Sequence, residues 1–382
     1  MKLRNTMLAA ISLAFATGLA HAELKVGVVL SATGPGASLG IPERNTIALL
    51  PTTIGGETVR YIVLDDTTDT TTAVKNARKL VTEEQVDVII GTTTTPPSLA
   101  MVDVAAEAQT PMISMAAGAR IVGPMDDKRK WVFKTPQNDQ QMASAIVEHM
   151  TANSVKSVAF IGFANAYGEG WFEQFKILAD GAGIKIAANE RFNPADTSVT
   201  GQTLKLMSAK ADAVFIAGAG TPSALPQKTL RERGYKGPIY QTHGVANNDF
   251  LRICGKDCEG TLLPVGPVQM ARSLPDSNPV KASALEYVEK YEAEHGPGSV
   301  SSFGAYAWDA GRLLEAAVPD ALKNAKPGTA EFRAALRDAL EGVKDVAGAT
   351  GIYTMTAEDH LGLDERSRVM IKIQDGTWTL LQ

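Results

Sequence analysis

From Glu23 onward the chain alternates two hydrophobic rhythms. Lys25–Ser31, Arg60–Asp66 and Val86–Gly91 are continuous apolar, largely β-branched runs, with a shorter one at Pro111–Met115. Between them, Thr71–Thr82 and Ser98–Ala108 place apolar residues at helical spacing. Runs without polar alternation predict strands covered on both faces, hence a parallel sheet with crossover helices. The rhythm restarts at Lys156–Gly162, with strands expected again at Ile184–Ala187, Asp212–Ala217 and Pro238–Gln241. Helical spacing over Gly168–Ala182, Thr200–Ala209 and Ser223–Arg233 joins them. Two such series of about a hundred residues each predict two doubly wound, parallel-sheet α/β lobes. Lys281–Gly342 is mostly helical and belongs to neither series by order. Arg368–Leu380 reads as a hairpin turning at Asp375-Gly376.

The first 22 residues follow another pattern. Lys2 and Arg4 precede an apolar stretch from Leu8 to Ala20, and Ala20-His21-Ala22 is an A-x-A cleavage site. This is the anatomy of a secretory signal peptide cut after Ala22. The stretch is too short and too rich in Ser, Thr and Gly to span a membrane, so no membrane insertion is expected. The chain has 382 residues, 45% hydrophobic and 21% charged, with a net charge of −5. That length exceeds what one core usually supports, so two domains are expected. An acidic exported chain without a basic cluster excludes nucleic acid as a partner. Cys254 and Cys258 enclose three residues; no second pair makes a zinc site, and an oxidising compartment favours a local disulfide.

Candidate chemistry gathers at the ends of the expected strands. Gly36-Ala-Ser38-Leu-Gly40 matches the nucleophile elbow of serine hydrolases, but that fold draws its oxyanion hole from an earlier strand, and few residues precede this one. The same glycines are out of register for a dinucleotide loop. No cofactor, no metal and no catalytic residue is expected. In Gly91-Thr-Thr-Thr-Thr95-Pro-Pro-Ser98, Thr95 is the expected N-cap and Pro96 the first helical residue. Such helix starts at strand ends are where anions bind. Met115–Gly118, Asn165–Gly170, Ala219–Pro222 with Thr221, and Gln241–Gly244 with His243 stand at matching positions, where two lobes would face each other. Asp65, Asp66 and Asp69 read as a solvated turn and helix cap.

Together these residues resemble the periplasmic leucine/isoleucine/valine-binding proteins, the solute receptors of ABC importers. The carrying segments are Gly27–Pro35, Val86–Thr95, Pro111–Ser114 with Ala116, Tyr167–Gly170 and Gly234–Gly237. The resemblance implies a type I periplasmic binding fold with three crossings between lobes. Lobe 1 would comprise 23–136 plus 266–343, and lobe 2 137–265 plus 344–382. It also implies hinge closure on a small ligand and presentation to a membrane permease. Thr95 matches the residue that grips a ligand carboxylate, Ala116 one that lends its carbonyl, and Tyr167 a closing aromatic. With Ser98, Gly118, Thr221, His243 and Leu39 these form the expected ligand site. Three departures bear on the ligand: Gly118 replaces a hydroxyl residue, Leu39 a tryptophan, and His243 the acid that meets an α-ammonium. Pro96 and Pro97 also remove two amide donors. The expected ligand is therefore a carboxylate without an α-ammonium, benzoate-type aromatic acids first and branched 2-oxo acids second. The alternatives are a branched-chain amino-acid receptor, which Asp65 or Asp66 could restore by swinging in, a ligand-sensing receptor lobe, and an exported serine hydrolase using Ser38.

Overall fold

A computed structural model describes residues 23–381; the signal-peptide expectation for residues 1–22 lies outside them. One sheet contains β1 (Leu24–Leu30), β2 (Thr53–Ile54), β3 (Glu57–Asp65), β4 (Val88–Gly91), β5 (Met112–Ser114) and β6 (Val132–Lys134), in the order β2-β3-β1-β4-β5-β6. A second contains β7 (Ser157–Phe163), β8 (Lys185–Phe192), β9 (Ala213–Ala217), β10 (Ile239–Gln241) and β11 (Leu262–Val265). After the small pair β12 (Val346–Ala347) and β13 (Ile352–Tyr353), the hairpin β14 (Val369–Gln374) and β15 (Thr377–Leu380) completes the second sheet. All pairs are parallel except those of β2, β12–β13, β14 and β15. The hairpin turns where expected, at Asp375 (φ 52) and Gly376 (φ 70).

Strand periodicity sends successive side chains to opposite faces. In β1, Val28 packs against α1 (Ala37–Ile47), while its neighbour Val29 faces α2 (Thr70–Thr82) and α3 (Thr95–Glu107). In the second lobe, α4 (Asp139–Ala152) and α5 (Ala166–Gly181) bury Met142, Ile146, Trp171 and Phe175 against Val158, Phe160 and Phe215. The helices α6 (Thr200–Ser208), α7 (Ala224–Glu232) and α8 (Asn248–Cys254) complete it. Cys254 and Cys258 are bridged, with Cα atoms 5.5 Å apart.

The long helical segment completes the first lobe. From α9 (Lys281–His295), α10 (Ser302–Ala321) and α11 (Ala330–Glu341), Tyr287, Leu314 and Leu336 enter the core that contains Val26, Val28 and Ile90. Val343, Tyr353, Met355 and Leu363 lie in that same core. The expected boundary at Lys344 is therefore too early, and the chain joins the second sheet only at Val369. Its apolar residues face the first lobe's helices, which is the physical reason for the shift.

The crossings meet at a knot of buried polar groups. Gln137 Nε2 donates to the carbonyls of Thr350 (3.0 Å) and Ser367 (2.6 Å). Asp309 on α10 accepts the amides of Ala349 and Thr350, and Tyr353 Oη donates to Thr135 O at 2.8 Å. Among the described residues no helix is long and apolar enough to cross a membrane.

Candidate functional site

A cavity of about 280 Å³ lies between the carboxyl ends of the two sheets, where open α/β sheets bind ligands. The first lobe contributes Leu39, Thr94, Thr95, Ala117, Phe303 and Tyr306; the second contributes Phe163, Tyr167, Ala219, Pro222 and His243. Among the described residues, no Asp, Glu, Lys or Arg lines it.

On the first-lobe side the four threonines after β4 divide into two roles. Gly91 (φ +141) brings the loop so close to β1 that a Cβ would sit 2.2 Å from Val29 O. Thr92 Oγ1 donates to Asp66 and Thr93 Oγ1 to Glu43, both buried carboxyls that burial raises toward their protonated forms. These two hydroxyls hold the loop. Thr94 and Thr95 line the cavity together with Thr93, whose hydroxyl is already spent on Glu43. Thr94, not Thr95, is the N-cap of α3, and its buried Oγ1 has no partner among the described residues. Thr95 is the first helical residue, with Pro96 and Pro97 next. The amides of Thr94, Thr95 and Ala117 make no hydrogen bond within the described residues. The result is a cluster of unused donors at a helix start.

On the second-lobe side the hydroxyls of Tyr167 and Thr242 are already paired. Asn165 caps α5, accepting from the amides of Tyr167 (3.0 Å) and Gly168 (3.3 Å). Thr242 Oγ1 donates to Gly218 O at 2.7 Å, so at its 2.8 Å contact with Tyr167 Oη it must accept. The Tyr167 proton is committed to Thr242, and the phenol offers the cavity only an acceptor. His243 is buried, its ring centroid 5.7 Å from that of Trp171. Burial, and then the nearby charge of Lys134, push its pKa down to about 3. It is therefore a neutral imidazole, and its Nδ1 has no partner among the described residues.

Of the eight expected ligand-site residues, the structure brings Leu39, Thr95, Tyr167 and His243 to the cavity and leaves four off its wall. Ser98 Oγ pairs with Ser114 Oγ at 2.8 Å and meets Thr92 N at 3.1 Å, inside the loop. Ala116 packs into the core behind the sheet, and its neighbour Ala117 lines the cavity instead. Gly118 lies against Thr95, where a Cβ would be 2.5 Å from Cγ2, and its amide donates to Thr95 Oγ1 at 3.3 Å. Thr221 starts a short 3-10 turn whose next residue, Pro222, reaches the cavity. Phe303 and Tyr306 of α10 were missed; the Tyr306 hydroxyl is buried without a partner among the described residues.

The rival readings of the motifs also meet the geometry. Ser38 Oγ on α1 is buried with no hydrogen-bond partner, and hence no base within hydrogen-bond reach, among the described residues. Gly40 of that motif is a packing residue: a Cβ there would fall 2.1 Å from Ser31 O. Asp69 caps α2 as expected, accepting from Thr72 N. Asp65 is partly exposed at the turn that ends β3, as expected, whereas Asp66 is buried, and both are tied down by hydrogen bonds. Asp65 accepts from Ala32 N, Thr33 Oγ1 and Thr67 N, and Asp66 from Ser31 Oγ and Thr68 N.

A family model described as periplasmic binding protein matches residues 23–372. The Leu/Ile/Val-binding protein BraC3 of Rhizobium johnstonii is 28% identical over 352 residues, covering 90% of each chain. The solved structure of an extracellular ligand-binding receptor from Rhodopseudomonas palustris HaA2 is 49% identical, covers 94% of this chain and 100% of its own, and superposes with a TM-score of 0.92. A more distant structure, 22% identical with a TM-score of 0.78 over 94% of this chain and 96% of its own, shares the fold. It is an ABC-transporter solute-binding protein from Rhodopseudomonas palustris BisB5 in complex with 3,4-dihydroxybenzoic acid.

Proposed function

The chain belongs to the periplasmic binding protein family, and from that premise we propose that it is the exported solute receptor of an ABC importer for a small carboxylate without an α-ammonium. Benzoate-type aromatic acids come first and branched 2-oxo acids second. In this reading the leader is removed after Ala22, the protein works in the periplasm without cofactor or catalysis, and the closed form is handed to a membrane permease. The observation that carries the ligand class is the lining: no acidic side chain reaches the cavity among the described residues. Burying an ammonium without a partner costs several kcal/mol. The unused Thr94 hydroxyl, the Thr95 hydroxyl proton and the free amides of Thr94, Thr95 and Ala117 suit a carboxylate, while Leu39, Phe163 and Phe303 suit a ring or branched chain.

Closure works by the hinge. The ligand bridges donors of one lobe and apolar surface of the other, so the closed form is the one it stabilises. A branched-chain amino-acid receptor is the second reading, favoured by the 28% identical Leu/Ile/Val-binding relative. Calorimetry with benzoate, 4-hydroxybenzoate, 4-methyl-2-oxopentanoate, leucine and valine decides between them. Micromolar binding of an acid with silence from leucine and valine supports the first reading; the reverse pattern establishes the second.

A further inference from the structure

Lys134, the last residue of β6, has no exposed surface. Its ammonium donates to the carbonyl of Ala117 at 2.7 Å, and among the described residues no carboxylate lies within ion-pair distance of it. A buried ammonium with so little compensation is costly, and the cost falls only when negative charge comes near. The charged and titratable groups that face it are Asp139 at the start of α4, Asp359 ahead of the third crossing, and His243 across the cleft. Asp139 already accepts the amide of Ala119 at 3.2 Å, and burial raises its carboxyl toward the neutral form. His243 is neutral. Ala117 itself lines the cavity, so the ammonium stands directly behind the wall beside the unused donors.

Resting on the carboxylate reading, we propose that Lys134 is a specificity-determining residue whose buried ammonium, held by the Ala117 carbonyl, supplies the positive potential that selects a carboxylate over its neutral isostere. Charge recognition is thereby separated from contact: the hydroxyls and amides touch the ligand, and the cation acts through the wall in a medium that screens little. Burial holds the empty protein's Lys134 down to about pKa 7, against the opposing pull of Asp139 and Asp359. An arriving anion raises that value, and a proton from solvent passes onto Nζ. Binding is therefore proton-coupled above neutrality. Affinity falls by up to tenfold per pH unit between the free and bound pKa values, and this dependence vanishes below the free one.

The test is calorimetry of the full mature chain with benzoate, 4-hydroxybenzoate, 4-methyl-2-oxopentanoate and leucine at pH 8, in two buffers of different ionisation enthalpy. The expected result is a buffer-dependent heat that reports proton uptake, with weaker binding at pH 8 than at pH 7. Lys134→Met should bind the acids at least tenfold more weakly, lose the pH dependence, and keep wild-type affinity for benzamide if wild type binds it. Buffer-independent heat with pH-flat affinity in the wild type overturns the inference, even if the variant fails to fold. So does a folded Lys134→Met that matches wild type with the acids. Leucine bound in place of every acid sinks the ligand reading alone. The same two-buffer measurement with leucine then decides the role of Lys134 by the same criteria.

Discussion

The two rims of the cleft are built alike, from loops at the carboxyl ends of parallel strands, yet they present opposite chemistry. The first-lobe rim leaves the Thr94 hydroxyl and the amides of Thr94, Thr95 and Ala117 without partners among the described residues. At the second-lobe rim the hydroxyls of Tyr167 and Thr242 and the amides of Tyr167 and Gly168 are spent internally before any ligand arrives, and only the neutral His243 ring keeps a buried, unpartnered nitrogen among its side chains at 165–167 and 242–244. The difference teaches that recognition is divided. On the proposed reading one lobe holds the charged end of the ligand, and the other offers a shaped, electrically neutral cover for the rest.

The comparison breaks hardest if the neutral cover is charged. His243→Asp places a carboxylate in the buried second-lobe rim, facing the ligand's own. We expect aromatic-acid affinity to fall by about two to three decades, from several kcal/mol of like-charge and desolvation cost. Leucine affinity should rise in the same calorimetric titration. Acid binding that survives intact would mean the second lobe is no neutral cover. A smaller effect tests the gripping rim. Thr95→Val should weaken acid binding by about one to two decades, the worth of a hydrogen bond to a charged group. Thr93→Val should instead lower melting temperature and leave affinity near wild type, since its hydroxyl ties Glu43.

Tyr167→Phe sharpens the contrast from the other side. Its proton goes to Thr242, so the variant should lose about 1 kcal/mol of stability and change acid affinity less than about threefold. A full decade of lost affinity, read by the same titration, would place the phenol among the ligand's donors. A last contrast is in pH. His243 has its folded pKa lowered from 6.5 to about 3. Its contribution to stability is thus complete above the unfolded value and is lost as pH falls through that window toward 3. The melting temperature of wild type relative to His243→Gln should therefore drop steadily between pH 6.5 and 5. A constant difference would mean the imidazole already carries charge in the fold.

These contrasts were only partly legible in the sequence. The apolar runs of β1, β4, β7 and β9 are buried on both faces, and burial is what their composition records. β8 runs to Phe192 but was expected to end at Ala187, because Asn189, Glu190 and Arg191 lie on an edge strand and stay polar. β11 was missed: Pro264 interrupts a four-residue strand that pairs with β10 at a single position. At the site, Thr95, Tyr167 and His243 were readable because each stands at the end of a recognisable strand or the start of its helix. Ala116 was expected for its carbonyl; its side chain packs behind the sheet and that of Ala117 lines the cavity, since one step along an extended segment turns a side chain to the other face. Tyr306 carried no local sign. It reaches the cleft from a helix about two hundred residues beyond Thr95, through the packing of α10 on α1. Lys134 looked like any charged residue at a strand end, since burial cannot be read from one lysine.

The late arrival of α9, α10 and α11 has a consequence for how the chain is made. Thr46 Oγ1 meets Tyr287 Oη across 241 positions, and Gly328 N meets Asp87 across the same separation. Until residues beyond about 280 emerge, one apolar face of β1 to β6 is covered by α1 alone among its helices, and long-range closure of this kind slows folding. The β7–β10 unit, by contrast, draws its core from one continuous stretch. During synthesis the middle of the chain can therefore consolidate first, while its beginning waits for its end. A polypeptide whose opening segment stays open until it is nearly complete is one that an export machinery can still thread, and that a truncation after Val265 would leave exposed and prone to aggregate.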